Sequence, residues 1–129
     1  MDSSRLGKDP NGTDVVFGGA RTCLYDAAKI GLLMSNEGKY KNKQIISESW
    51  INQSVTPSEK APYYGYLWWL DYGSEDKNYA ATGDGGQLTI VFPDLNLVFL
   101  RRQYCNNTQG SDMTWLPGLL KKIPPIISN

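Results

Sequence analysis

The chain has 129 residues, 40% of them hydrophobic and 20% charged, which is the ordinary composition of one compact globular unit. Lys plus Arg and Asp plus Glu both number 13, so the formal net charge is zero and no global field draws the chain to nucleic acid or to an anionic membrane. Histidine is absent, which excludes every Ser-His-Asp or Cys-His triad and every His-containing metal site and leaves lysine or tyrosine as the base for any nucleophile.

Residues 1–19 are polar and turn-rich, with Asp9-Pro10-Asn11-Gly12 a turn signal and Gly18-Gly19 a joint, and read as an extended loop. No apolar core of a signal peptide follows Met1, no apolar run reaches the length of a bilayer span, and the chain reads as soluble. Its compartment stays open, because any export signal would precede Met1. From Leu24 on, Leu24, Ala27, Ala28, Ile30, Leu33 and Met34 recur at helical spacing. Thr22 or Cys23 stands at the cap position, and Gly38 supplies a left-handed stop. Lys39, Lys41 and Lys43 read as a solvated basic connector. Ser47 is placed to cap a second helix running to about Val55, with Ile46 and Ile51 as a hydrophobic staple and Thr56-Pro57 as its end.

The run 64–70, Tyr-Gly-Tyr-Leu-Trp-Trp-Leu, reads as a strand with aromatics on both faces, hence as covered core rather than as a ligand-stacking platform. Gly73-Ser74-Glu75-Asp76-Lys77 reads as a polar hairpin tip, and 78–82 as a short strand leading into Gly83-Asp84-Gly85-Gly86. Residues 87–92 and 97–101 form a hairpin across Pro93-Asp94-Leu95-Asn96. After a polar loop, Trp115, Leu116, Leu119, Leu120 and Ile123 predict a terminal helix ended by Pro124-Pro125. Short connections imply antiparallel pairing, so the expected class is α+β: one antiparallel sheet of three or four strands with helices packed on it.

Few residues carry chemistry on spacing alone. Ser74-Glu75-Asp76-Lys77 matches Ser-x-x-Lys, but in a polar turn rather than at the start of a buried helix that could desolvate the lysine. Tyr40-Lys41-Asn42 and Tyr104-Cys105-Asn106 match Tyr-x-Asn within predicted loops and read as coincidences. Cys23 and Cys105 lack metal-ligand or redox spacing and read as unpaired, partly buried thiols. Gly83-Asp84-Gly85-Gly86 is either a sharp turn between strands or a glycine-lined edge that a substrate approaches closely. A strand rather than a helix follows it, so it is not a phosphate loop, and no second carboxylate makes Asp84 a metal ligand.

Three segments in order carry a resemblance. The first is the stretch 18–33 from Gly18-Gly19 through Asp26-Ala27-Ala28 to Gly31, with Gly38-Lys39 and Gln44-Ile45-Ile46 following. The second joins Tyr64-Gly65-Tyr66-Leu67-Trp68-Trp69 to Gly83-Asp84-Gly85-Gly86-Gln87, and the third is Phe92-Pro93-Asp94-Leu95-Asn96-Leu97-Val98. Together they resemble the β-lactamase-related, penicillin-binding-protein-like serine hydrolases: class C β-lactamases, DD-peptidases, esterases and 6-aminohexanoate-oligomer hydrolases.

The resemblance implies the C-terminal half of the β-lactamase/DD-peptidase-like fold, with 1–129 a single, partial domain. The family's Ser-x-x-Lys and Tyr-x-Asn motifs would lie upstream, so no catalytic nucleophile is expected in this chain. Ala81-Thr82-Gly83 would occupy the Lys/His-Thr/Ser-Gly strand, and the Asp84 amide one oxyanion-donor position. The substrate side would thus comprise Thr82, Gly83, Asp84, Gly85 and Gly86, with no metal and no cofactor. Ala81 departs from the family's cation, which argues against typical β-lactam chemistry. The partner implied for the complete enzyme is a small-molecule acyl substrate, and the isolated chain is expected to be inactive. The alternative is a non-catalytic interaction module derived from the same fold, which would self-associate or pair with a missing N-terminal half through exposed strand edges.

Overall fold

The computed structural model describes residues 4–16, 18–83, 85–102 and 116–122. Two helices come first. Helix α1, Leu24–Ser35, starts where the Cys23 sulfur accepts a hydrogen bond from the Asp26 amide at 3.4 Å. Cys23 is an exposed free thiol rather than a partly buried one, because a capping side chain sits outside the first turn. The helix stops at Gly38, whose φ of 83° lets its amide reach back to the Leu33 carbonyl at 2.8 Å. Helix α2, Glu48–Ser54, is capped by the Ser47 hydroxyl, which accepts from the Trp50 amide at 3.2 Å.

Between them the sequence predicted only a connector, but the chain makes a hairpin of β1 (Lys39–Tyr40) and β2 (Lys43–Gln44). Its two-residue turn, Lys41-Asn42, holds both residues at positive φ, 47° and 63°, the geometry whose twist matches an antiparallel pair.

The main sheet has four antiparallel strands in sequence order: β3 (Trp69–Leu70), β4 (Tyr79–Gly83), β5 (Gln87–Phe92) and β6 (Leu97–Arg101). The predicted hairpin 87–101 has the expected bounds, turning through a short 3₁₀ segment, Pro93–Leu95, and Asn96 at a φ of 48°. A third helix, α3, covers Leu116–Leu120; Trp115 and Ile123 of the predicted terminal helix lie outside the described residues. Two-fold alternation along β4 and β5 sorts the core into two layers. Ala80, Leu88, Ile90 and Phe92 form one cluster, and Tyr79 and Val91 join Met34 of α1 and Ile51 of α2 in the other. Ile46 packs on the second cluster beside Ile51, as a staple would place it. Gly31 lets α1 lie directly on Val98 of β6 and Thr89 of β5, where a larger residue would collide with a Val98 methyl.

The expected strand 64–70 is replaced over most of its length by a tight turn. Tyr64 bridges Trp69, the Gly65 amide donates to the Trp68 carbonyl at 2.8 Å, and Leu67 takes a φ of 64°. The cause is tertiary: Gly65 is pressed against the Ser54 carbonyl at the end of α2, where any Cβ would clash, and the Tyr66 amide donates to that same carbonyl at 2.8 Å. The aromatics are accordingly split. Trp68 packs edge-on against Tyr79 over the core, whereas Tyr63, Tyr66 and Trp69 stay 58%, 50% and 36% exposed, which corrects the expectation of an aromatic strand covered on both faces.

Asp26, buried at the start of α1, ties the N-terminal loop to the helix. Its carboxylate accepts from Ser4 Oγ and from Lys29 Nζ, both at 2.8 Å. These hydrogen bonds, Lys29 first and Ser4 next, hold its pKa below the ordinary 3.8. A carboxyl with a depressed folded-state pKa contributes stability at pH above its unfolded value, and that contribution is lost as pH falls through the folded value. Urea midpoints should therefore fall as pH drops below about 3.8, and Asp26→Asn should be less stable at neutral pH and show a flatter acid limb. An unchanged acid limb in that variant would remove Asp26 from the account.

Candidate functional site

Strands β4 and β5 converge on the glycine turn. Their ladder runs from Tyr79 opposite Val91 to Gly83 opposite Gln87, so the chain reverses between those two residues. Gly85 and Gly86 do this at φ values of 79° and 78° while buried, a backbone region closed to most side chains. Asp84, with the oxyanion-donor role the resemblance gives its amide, lies outside the described residues.

The turn is held from β6. Arg101 Nη1 donates to the Gly86 carbonyl at 3.1 Å, and Arg102 Nη1 donates to Gln87 Oε1, also at 3.1 Å. Arg101 reads from the sequence as a strand end only. Its contact follows from a register that sets it opposite Leu88, two residues past the turn, and a single strand does not disclose that register.

The outer edge of β4 is open beside this turn. Strand β3 pairs only with Tyr79 and Ala80, so among the described residues Ala81, Thr82 and Gly83 have no strand neighbour on that side. Thr82 and Gly83 are exposed and Ala81 half-buried. Such an edge presents main-chain donors and acceptors to an extended amide or ester, and the missing Cβ of Gly83 permits close approach. It carries no cation of its own at Ala81.

The other motif matches are not brought to this edge as reacting pairs. Ser74 Oγ lies 3.4 Å from Asp76 Oδ2 and accepts from the Asp76 amide at 3.2 Å, in a bend rather than a helix. Among the described residues, Lys77 makes no hydrogen bond to it. That bend is anchored by buried Asn78, which accepts from the Tyr72 amide and donates to the Asp76 carbonyl at 2.9 and 2.8 Å. Tyr40 and Asn42 sit on the exposed β1–β2 hairpin with Lys41 Nζ 5.7 Å from the Tyr40 ring centroid. Tyr104-Cys105-Asn106 lies outside the described residues. Tyr79 has its hydroxyl on the Met34 carbonyl at 3.1 Å, and burial pushes its pKa up to about 12, so it stays protonated and serves no one as a base near neutrality. No group of three acidic, Cys or His side chains that could hold a metal occurs among the described residues. No helix among them is long and apolar enough to cross a membrane.

Comparison with known proteins gives one kind of likeness. No family model and no curated protein matches the chain. Among solved structures, it is similar to one assigned as a 6-aminohexanoate-dimer hydrolase from Bacillus anthracis, at 21% identity with a TM-score of 0.71. The match covers 93% of this chain and 32% of that one, so the chain spans about a third of the length of the structure it resembles. At that identity the likeness shows the fold: an antiparallel sheet with helices packed on it, of the β-lactamase-like kind.

Proposed function

We propose that this chain is the oxyanion-side, C-terminal part of a serine hydrolase that acts on an amide, ester or β-lactam bond through an acyl-enzyme, with the serine and its lysine supplied from upstream sequence. The observation that carries this reading is the open Ala81–Thr82–Gly83 edge running into the buried Gly85-Gly86 turn within a fold shared with a hydrolase structure. In acyl transfer the serine hydroxyl attacks a carbonyl carbon, its proton passes to the base, and main-chain N–H groups hold the charge that develops on the carbonyl oxygen. The bond to the amine or alcohol then breaks, the leaving group takes that proton, and water later hydrolyses the acyl-serine. Thr82, Gly83, Asp84, Gly85 and Gly86 form the wall that orients the acyl group on this reading. Ala81, without a cation, favours uncharged amides or esters over β-lactams carrying a carboxylate.

A second reading is the interaction module. It is favoured by two exposed aromatic pairs: Tyr63 stacks on Trp69 at 5.9 Å, and Trp50 and Tyr66, 5.7 Å apart, stand 51% and 50% exposed.

One experiment separates the two. A fluorophosphonate probe should leave the chain of residues 1–129 unlabelled, with or without Ser74→Ala, and should label the full gene product on a serine of an upstream Ser-x-x-Lys. Labelling of the isolated chain that disappears in Ser74→Ala would overturn the missing-nucleophile reading. A full gene product that carries no such motif and takes no label would favour the interaction module.

A further inference from the structure

At the opposite end of the sheet from the glycine turn lies a cleft of about 710 Å³, bounded by the C-terminal end of α1, the β1–β2 hairpin, α2 and the 3₁₀ turn before β6. Tyr79 lies in its floor, four residues along β4 from Gly83, so the two places are about 13 Å apart along the strand. Met34 and Ile51 complete a buried apolar floor beneath a polar rim.

The rim is chemically one-sided. Of the described asparagines, Asn36, Asn42, Asn52 and Asn96 all line this cleft, each from a different element or turn, and none has an intramolecular side-chain hydrogen bond among the described residues. Asn78, which is buried just outside, has both its donor and its acceptor filled. Lys39, Lys41 and Lys77 line the same cleft against Glu37 and Asp94, leaving one positive charge in excess in a chain whose formal net charge is zero. Lys39 faces Glu37 at 4.0 Å, whereas Lys77 has no ion pair among the described residues. Four of the rim residues, Glu37, Lys41, Asn42 and Asn96, are held at positive φ, so the cradle is built from turns whose backbone is fixed rather than from a continuous helix face.

We propose that this cleft is a second binding site, separate from the acyl-transfer edge, for a small polar oxyanion: a carboxylate or phosphate whose charge is met by Lys41 and Lys77 and whose remaining acceptors and hydroxyls are met by the asparagine amides. Amides donate and accept, ammonium groups only donate, and the mixture fits an anion that also carries hydroxyl groups rather than an apolar acyl chain.

Backbone amide NMR of the chain, titrated separately with citrate and with pyrophosphate, tests it. Saturable shifts confined to residues 36–42, 52, 77–79 and 94–96 are expected with at least one of the two, and which one distinguishes a carboxylate from a phosphate ligand. Lys41→Gln with Lys77→Gln should weaken that binding about fivefold or more, added sodium chloride should weaken it further, and Asp94→Asn should tighten it about twofold or more. Lys60→Gln, away from the cleft, should leave it unchanged. Absence of saturable shifts with both anions, equal affinity in the double variant, or weaker binding in Asp94→Asn would each overturn the proposal. A well-dispersed spectrum of each variant certifies that it is folded. The result is independent of probe labelling at the glycine turn, so either site can fail without the other.

Discussion

Gly38→Ala should lower the unfolding free energy by about 1–4.5 kcal/mol, a large share of the roughly 5–15 kcal/mol that holds a domain of ordinary size. Two penalties add there. A φ of 83° puts any Cβ against its own carbonyl, at about 1–2 kcal/mol, and the new methyl would meet the Ile46 carbonyl oxygen and lie 2.9 Å from Gln44 Nε2 and Ile46 C, an overpacking of about 1–3 kcal/mol. The opposing gain, loss of glycine's freedom in the unfolded chain, is about 0.4–1 kcal/mol and does not reverse the sign. Neither neighbour can step aside cheaply. The Gly38 carbonyl itself accepts from the Ile45 and Ile46 amides at 2.9 and 3.2 Å, and Gln44 Nε2 is hydrogen-bonded to the Glu37 and Ile46 carbonyls. Gly12 separates the two terms, since its φ of 84° is the same and nothing lies within 4 Å of its absent Cβ. Urea unfolding followed by tryptophan fluorescence should show Gly12→Ala losing only the first, smaller penalty. Equal losses in the two variants would mean that the contact with Ile46 carries no energy.

That glycine is also among the positions most legible in the sequence. Helix ends are local events, so Ser47 before Trp50 and Gly38 after the last apolar repeat announce themselves in the order of residues. The hairpin 87–101 is equally local, since alternation fixes the faces of β5 and β6 and the Pro93-Asp94-Leu95-Asn96 segment fixes where they reverse. Residues 64–68 are different. Tyr, Leu and Trp favour strands, but their conformation is decided by the Ser54 carbonyl, ten or more positions earlier, against which only a residue without a Cβ fits at position 65. The β1–β2 hairpin is hidden in the sequence because its two-residue strands carry lysines and no apolar alternation, although Lys41-Asn42 is a two-residue turn with a left-handed former at its second position. At the candidate site, the resemblance implies Thr82, Gly83, Asp84, Gly85 and Gly86, whereas the hold of Arg101 on Gly86 follows from strand register alone.

In a form of the protein that acylates, Gly86→Val should cut the acylation rate about 10²–10³-fold, the size of effect that follows the loss of one oxyanion donor. The argument starts from the backbone. A β-branched residue at a φ of 78° is a steric outlier, and a buried position leaves no room for the valine methyls to turn outward. The turn must then relax toward negative φ, which breaks the 3.1 Å hydrogen bond from Arg101 and swings the amides between Gly83 and Gln87. Displacement by about 1 Å is enough for roughly 10²-fold in rate when charge develops within a fixed geometry, so catalysis should respond more steeply than stability, which should fall by about 1–3 kcal/mol. Gly12→Val supplies the control, carrying the same backbone penalty where nothing lies within 4 Å of the absent Cβ, with its rate expected to stay within about twofold of the parent. Stopped-flow acylation at saturating ester, alongside the urea midpoint of each variant, reads both quantities. A Gly86→Val enzyme that folds and acylates within about threefold of the parent would show that the Gly85-Gly86 turn only reverses the chain and that the reacting carbonyl is held elsewhere.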